Sequence, residues 1–457
     1  MAKKFYLTTA IAYVNAKPHL GFAWESILAD VIARYRREKG ERVYFLTGTD
    51  EHGTKIKRVA EASGKDPQTF TDENAALVRD LKEVLGLSWD EFIRTTDQKR
   101  HWPNVNEVWN KLIEAGAIYK KKYEGLYCVG HEAFVTEKDL VDGICMDHKT
   151  KPEKIEEENY FFKLSDYADR VAEALESEKI KIYPESAKKE ILQFIKEGVN
   201  DVSFSRPRKT LDWGIPVPGD ETQTVYVWCD ALVNYLAPRE FWPADLHVIG
   251  KDILKFHALY WPAMLLAAKI ELPKAIFVHG HITVDNQKMS KTLGNVVDPV
   301  ELVSKYGTEA VRYYLIREFS AFSDPDFTYE KFEARYNADL ANGLGNLVAR
   351  TAALVKKFGF EEVLTVDILE FKKLLEEGDL AMRELKLSEA LQFIMEATRV
   401  VDRYINEKEP WKTGDKKVIG EMKVLVEEIA KALKPFLPLT AENILNWDDK
   451  ILFPRLK

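Results

Sequence analysis

Phe5-Tyr6-Leu7-Thr8-Thr9-Ala10-Ile11-Ala12-Tyr13-Val14-Asn15-Ala16-Lys17-Pro18-His19-Leu20-Gly21-Phe22 opens the chain as a strand, a polar turn and the start of a helix. Residues 5–10 read as a buried strand. Across residues 22–39 the apolar side chains of Trp24, Ile27, Leu28, Val31, Ile32 and Tyr35 recur at helical spacing. Gly40 stops that helix, and Val43-Tyr44-Phe45-Leu46 gives a second strand. It ends in the polar turn Thr47-Gly48-Thr49-Asp50-Glu51-His52-Gly53. A strand–helix–strand order implies an α/β fold with a parallel, doubly wound (Rossmann-like) sheet, whose ligands bind outside the carboxyl ends of the strands. His19 falls at the first strand-to-helix junction. The leading N–H groups of the helix make an anion seat there, and Gly21 allows close backbone approach.

Working outward, helical patterns follow over 54–63, 67–86 and 97–115. From about 117 the texture changes to short aromatic strands and two Cys-x-x-His units, which predicts an inserted connective domain over 117–222. The α/β texture resumes with Thr224-Val225-Tyr226-Val227-Trp228 as a strand, Leu246-His247-Val248-Ile249 as another, a helix over 252–269 and Ala275-Ile276-Phe277-Val278 as a further strand. Asp298-Pro299 starts a helix toward Arg317, with proline at its first position. Beyond 328 only helical periodicity remains, with Leu391, Ile394, Thr398, Val401 and Ile405 on one face and Met422, Leu425, Ile429 and Leu433 on another. The expected divisions are therefore 1–116, 117–222, 223–328 and an all-α bundle over 329–457.

A chain of 457 residues is too long for one compact core. The three cysteines do not make a disulfide framework, and the start lacks a signal-peptide pattern, so a cytoplasmic protein is expected. No stretch is long and apolar enough to span a bilayer. A net charge of −8 argues against indiscriminate coating of nucleic acid, but leaves room for a local groove that takes RNA.

The loop Asp285-Asn286-Gln287-Lys288-Met289-Ser290-Lys291-Thr292-Leu293-Gly294-Asn295 carries two lysines three apart. Such a loop can close over a polyphosphate and offset the charge growing on a leaving pyrophosphate. Alone, a Lys-x-x-Lys is more often a solvated turn, and a lone His-x-Gly is more often structural. Together, on this strand order, His19-Leu20-Gly21-Phe22 and Lys288-Met289-Ser290-Lys291-Thr292 resemble the two signature motifs of class I aminoacyl-tRNA synthetases. The chain departs from the pattern at Phe22, where the family has a second histidine, and at Thr292, which keeps the hydroxyl of the usual serine.

The segments 8–15, 47–53, Tyr226-Val227-Trp228-Cys229-Asp230-Ala231 and Gly250-Lys251-Asp252-Ile253-Leu254-Lys255-Phe256-His257 look like the methionyl-tRNA synthetase family, and the likeness runs through nearly the whole chain. That resemblance implies an ATP site formed by His19, Gly21, Gly250, Asp252, Lys288, Met289, Ser290 and Lys291, with His19, Lys288 and Lys291 catalytic. It implies that Asp50 holds the methionine ammonium. Ile11, Tyr13, Trp228, Ala231, Leu232, Tyr235, Phe256, His257 and Trp261 would line a thioether pocket, since sulfur sits well at aromatic edges. Taken singly, each of these aromatics reads as plain core.

Cys128-Val129-Gly130-His131 and Cys145-Met146-Asp147-His148 pair four borderline-soft ligands, which suits one structural, tetrahedral Zn²⁺. Relatives of this kind commonly have cysteine at the position of His131. The third cysteine, Cys229, reads as a small packing residue beside Trp228. In the helical part, Asn342, Asn346 and Arg350 recur every four residues on one face, where polar groups can read base edges. By the resemblance, Trp411 stacks on an anticodon base.

The expected activity is thus attachment of methionine to its tRNA through methionyl-adenylate, with ATP and Mg²⁺, by a monomer without a dimerising C-terminal module. Two alternatives follow from the same residues: a sister class I synthetase for another apolar amino acid, or an RNA-binding paralogue made catalytically weak by Phe22.

Overall fold

The computed structural model describes residues 2–130, 132–135, 140–146, 149–289, 294–447 and 452–456; the side chains of Ala133 and Lys288 are excepted. His131, His148, Ser290, Lys291 and Thr292 lie outside these described residues.

The first strand, β1 (Lys4–Thr9), is followed by a two-residue strand β2 (Ala12–Tyr13), helix α1 (Leu20–Glu38) and strand β3 (Arg42–Asp50). Helices α2 (Thr54–Ala62) and α3 (Pro67–Leu85), strand β4 (Glu91–Arg94) and helix α4 (Trp102–Glu114) complete the first half. β1 pairs in parallel with β3 on one side and with Leu246–Gly250 on the other. Ala275–His279 and Lys181–Tyr183 continue the sheet in parallel outward, and β2 and β4 both pair with β3. The chain order therefore reverses between β1 and Leu246–Gly250. In a doubly wound sheet, that reversal opens a crevice at the carboxyl ends of the strands.

Between the halves, a long antiparallel pair joins Ile118–Cys128 to Glu153–Phe162, with Ala133–Val135 beside it and a small hairpin of Leu140–Val141 and Ile144–Cys145 at its end. One strand inside the 117–222 segment, Lys181–Tyr183, belongs to the main sheet rather than to this antiparallel part.

Four elements differ from the sequence reading. Thr224-Val225 ends an antiparallel strand, Asp220–Val225, outside the main sheet, and Val227–Ala231 is a short helix. A short run of β-branched and aromatic residues fits both states, so periodicity could not separate them. The helix expected over 252–269 is wound three ways: a 3₁₀ turn at Lys251–Ile253, a π turn at Phe256–Tyr260 and an α-helix at Trp261–Ala267. The helix expected from Pro299 to Arg317 is two helices, Pro299–Tyr306 and Thr308–Arg317, broken at Gly307 with φ 86°. The 97–115 helix starts at Trp102, because Asp97 accepts from the N–H groups of Lys99 and Arg100 in a turn instead.

Two apolar clusters flank the sheet. One joins α1 to the helical part, where Leu387–Lys408 and Lys416–Leu433 bury both of the faces read from the sequence. The other packs α4, Leu164–Glu176 and residues 227–268 against the opposite face. A fully buried Asp30–Arg312 pair at 2.7 Å locks α1 to the Thr308–Arg317 helix. The Arg312 guanidinium also donates to the carbonyls of Leu85, Pro435 and Phe436, so its burial leaves it well bonded.

Candidate active site

At the head of α1, His19 is the helix N-cap with extended backbone, and its Nδ1 accepts the Gly21 N–H at 3.1 Å. An imidazole accepting through Nδ1 carries its proton on Nε2, which leaves Nε2–H free to donate to a phosphate. The ring reaches solvent, but protein crowds round it, and this desolvation lowers its pKa against the opposing pull of Asp252. Gly21 leaves room for the ring: a Cβ there would lie 2.9 Å from His19 Cε1, which would have to shift, and 3.8 Å from Met289 Cε.

That second contact brings the lysine loop to the same turn. Gln287–Lys288 pairs with Thr283–Val284 across a tight turn whose central residues, Asp285 and Asn286, both have positive φ. Met289 then packs toward Gly21, and beyond the loop Val297 accepts the Leu20 N–H at 3.1 Å. The described residues on either side of 290–293 thus both lie against the His19 turn. Phe22 turns its ring into apolar surroundings, packing against the clusters on either side of α1's first turn.

The nucleotide-side residues read from the sequence lie at the same sheet edge. Gly250 ends its strand in register with His279, and a Cβ on Gly250 would come within 2.8 Å of Asp252 Oδ1. Asp252 is exposed and faces His281 Nε2 at 3.3 Å. His279 donates through Nδ1 to the Gly280 carbonyl, so its Nε2 and the buried Glu25 share one proton across 3.0 Å. Burial raises the Glu25 carboxyl against the pull of His279.

The amino-acid residues converge beside them. Tyr13 pairs with Asp50 at the end of β3. Trp228 stacks on Phe256 with centroids 3.7 Å apart. Tyr235, His257 and Trp261 are buried together, while Ala231 and Leu232 continue the wall behind them. Ile11 is half-buried against the same cluster. His257 donates from Nδ1 to the Ile253 carbonyl at 3.0 Å, so its bare Nε2 accepts the Tyr235 hydroxyl at 2.7 Å. Burial pushes the His257 pKa down to about 4, which keeps the ring neutral. A neutral wall suits an uncharged thioether.

Four carboxylates crowd this end of the sheet, and three are fully engaged. Glu51 is held by Arg94, Thr49 and Thr96. Asp230 sits between His52 Nδ1 at 2.6 Å and His101 Nε2 at 2.5 Å. Glu132 accepts from Tyr13, Tyr127 and the Lys55 N–H. Asp50 is the exception. Its Oδ1 is buried with no hydrogen-bond partner among the described residues. Burial raises its pKa well above the ordinary range, and Asp230, Glu132 and Glu51 add to that rise. A buried carboxyl with an unpartnered oxygen in a negatively charged corner suits a cation, whose charge would favour the ionised form.

The roles of Asp230, His52, His101 and Glu132 escaped the sequence reading. Three of them stand inside or beside quoted motifs, but their function depends on partners up to 178 residues away. His247 Nε2 and Trp261 Nε1 are among the other buried atoms with no partner among the described residues.

Elsewhere, Cys128 and Cys145 are buried, one at the end of the long antiparallel strand and one on the small hairpin. Their expected partners, His131 and His148, fall outside the description, and no group of three or more metal-type ligands is seen among the described residues. In the helical part, Asn342 and Asn346 are exposed and Arg350 is half-buried. Tyr336–Gly345 is π-wound, so the regular four-residue spacing assumed for Asn342 holds only from Asn346 onward. The Arg350 guanidinium lies 5.5 Å over the partly exposed Trp411 ring and is held by Asp402 and Asn406.

Comparison with known proteins agrees with this geometry. The family model described as class I tRNA synthetases (M) matches residues 5–147 and 135–352. The methionine–tRNA ligase of Clostridium acetobutylicum is 43% identical, covering 97% of this chain and 73% of its own length. That of Brucella suis is 40% identical, covering 97% and 91% respectively. Among solved structures, the Mycobacterium tuberculosis methionyl-tRNA synthetase in complex with methionyl-adenylate superposes with a TM-score of 0.92 at 37% identity, over 97% of this chain and 93% of that one. With a signature turn, a lysine loop packed on it and an aromatic pocket at one sheet edge, the chain belongs to the class I methionyl-tRNA synthetase family.

Proposed function

We propose that this protein activates methionine with MgATP and transfers the methionyl group to tRNA. A methionine carboxylate oxygen attacks the α-phosphorus, the bond to the β-phosphate breaks, and pyrophosphate leaves. The 2′-hydroxyl of the tRNA's terminal adenosine then attacks the adenylate's carbonyl, and AMP departs. The observation that carries this reading is the unpartnered Asp50 oxygen beside a neutral aromatic pocket, on the same sheet edge as the His19 turn. Asp50 would receive the ammonium, and Tyr13, Trp228, Phe256 and Tyr235 the side chain. Asp252 and Gly250 would meet the ribose.

His19 Nε2–H would donate to the α-phosphate as it becomes pentacoordinate. Lys288 and Lys291 would meet the departing pyrophosphate, with Ser290 beside them. The apolar packing of Phe22 supports a site that does without a second histidine. The lysine loop and the positive end of the α1 dipole would supply that stabilisation.

Zn²⁺ would be held by Cys128, His131, Cys145 and His148. The two buried thiols are chemically suited to it, and the ion would fold the connective hairpins rather than take part in the reaction. The 329–457 region would bind the anticodon through Asn342, Asn346, Arg350 and Trp411, and 117–222 would act as the connective domain. A cytoplasmic place of action is part of this proposal; among the described residues no helix is long and apolar enough to cross a membrane. ATP–pyrophosphate exchange tests the proposal. Methionine should support exchange far better than leucine or valine, and the reverse order would overturn it.

A further inference from the structure

Glu132 follows one of the expected zinc ligands, yet its side chain is buried in the amino-acid site. It accepts the Tyr13 hydroxyl at Oε1 at 3.0 Å and the Tyr127 hydroxyl at Oε2 at 2.7 Å. Oε1 also takes the Lys55 N–H, one of the orphan donors in the first turn of α2. Three elements thus meet on one carboxylate: β2, which carries Tyr13; the first turn of α2; and the long antiparallel strand of the connective segment, which carries Tyr127. Glu132 reaches in with a left-handed backbone at φ 53°, a conformation that side-chain-bearing residues seldom adopt without reason. Gly53 is fitted to the same junction. It has φ 108°, and a Cβ there would lie 2.9 Å from the Tyr13 hydroxyl and 3.0 Å from Glu132 Oε1.

We propose that Glu132 is a positioning residue for methionine, by which the connective segment fixes the Tyr13 wall of the pocket and the turn after Asp50. The inference rests on the synthetase reading above. It is geometric: a carboxylate accepting three donors locks the direction of each, and a tyrosine held by its hydroxyl cannot swing out of the pocket. A merely structural Glu132 would affect both substrates alike. A positioning Glu132 affects methionine and leaves ATP largely alone, because the His19 turn shares none of its bonds.

The test is ATP–pyrophosphate exchange on the full chain, with both KM values and thermal melting read for E132Q, Y13F and E132Q/Y13F. Glutamine fills the same space but offers one acceptor oxygen instead of two. The expected result is a methionine KM raised about tenfold in E132Q, as for loss of a hydrogen bond to a charged group, with ATP KM changed less than about twofold. Y13F should raise methionine KM in the same direction, and the double variant should be no worse than E132Q, since both remove one interaction. Additive effects of the two substitutions, or equal shifts in both KM values, would overturn the proposal. If E132Q does not fold, Y13F decides: an unchanged methionine KM in Y13F overturns it, and a raised one supports it. Absence of methionine exchange in the wild-type chain would instead strike the synthetase reading itself, so the two failures are told apart.

Discussion

Asp50→Asn should make the free protein more stable and the enzyme nearly inactive. Asp50 is 5% exposed, has one oxygen with no partner among the described residues, and faces Asp230, Glu132 and Glu51. Burial and these neighbours raise its folded-state pKa above the unfolded value. A carboxyl raised in this way favours the fold only while protonated, so at neutral pH the free enzyme carries a penalty, which grows as pH rises toward the folded pKa. An amide cannot ionise, so it escapes this penalty even though it keeps one unsatisfied atom, and a net gain of about 1–2 kcal/mol is expected. Melting should therefore occur a few degrees higher, at roughly 2–4 °C per kcal/mol.

With methionine the sign reverses. The ammonium would be the missing partner, and removing one member of a buried charge pair costs about 2–5 kcal/mol. That corresponds to a fall of about 30-fold to several thousand-fold in kcat/KM for methionine in pyrophosphate exchange. Methionine should raise the melting temperature of the wild type and not that of the variant. Exchange within about threefold of wild type would refute the assignment of Asp50 as the ammonium receptor. A lowered melting temperature in the variant would refute the account of its strain.

Three further outcomes follow. His19→Ala should lower exchange about 10²–10³-fold while methionine still stabilises the protein, and His19→Asn should recover part of the loss by capping α1. The lowered His19 pKa sets the sign with pH. The Nδ1 cap persists through neutral pH and is lost as pH drops below the usual histidine range through the folded pKa; Nε2–H stays a donor, but the ring loses the bond that aims it, so exchange should show an acid limb that His19→Asn lacks. Trp411→Ala should raise the KM for tRNA about tenfold in charging and leave exchange untouched, and equal loss in both assays would count against an anticodon role. Metal analysis should find about one zinc per chain, and Cys145→Ser should lose it and melt earlier; a metal-free wild type, or wild-type melting of the variant, would remove the zinc assignment.

Much of this site was readable from local pattern. The strand–turn–helix at 5–39 announced itself through a change of hydrophobic period, and Leu20–Glu38 bears that out. The faces at 391–405 and 422–433 are buried as their spacing required. His19, Asp50 and the lysine loop could be named because each stands at an element's end, where polar residues in an apolar context are conspicuous. Phe22 was read as a missing donor, and the structure adds that it is an apolar packing residue. Winding was less legible. The break at Gly307, the π turns at 256–260 and 336–345 and the switch from strand to helix after Val225 all depend on what packs against them.

By itself, then, the sequence determined the α/β class, the order of its parts and the residue types available for phosphate, thioether and metal. These follow from period, turn chemistry and composition, which act over a few residues. Only the tertiary structure decided which charges are answered. Asp230 has its two histidines, Glu132 its three donors and Glu51 its arginine, while Asp50, alone of these four, keeps an oxygen without a partner among the described residues. The physical reason is that a buried carboxylate's state is set by the donors the fold brings within about 3 Å, and those lie far away along the chain.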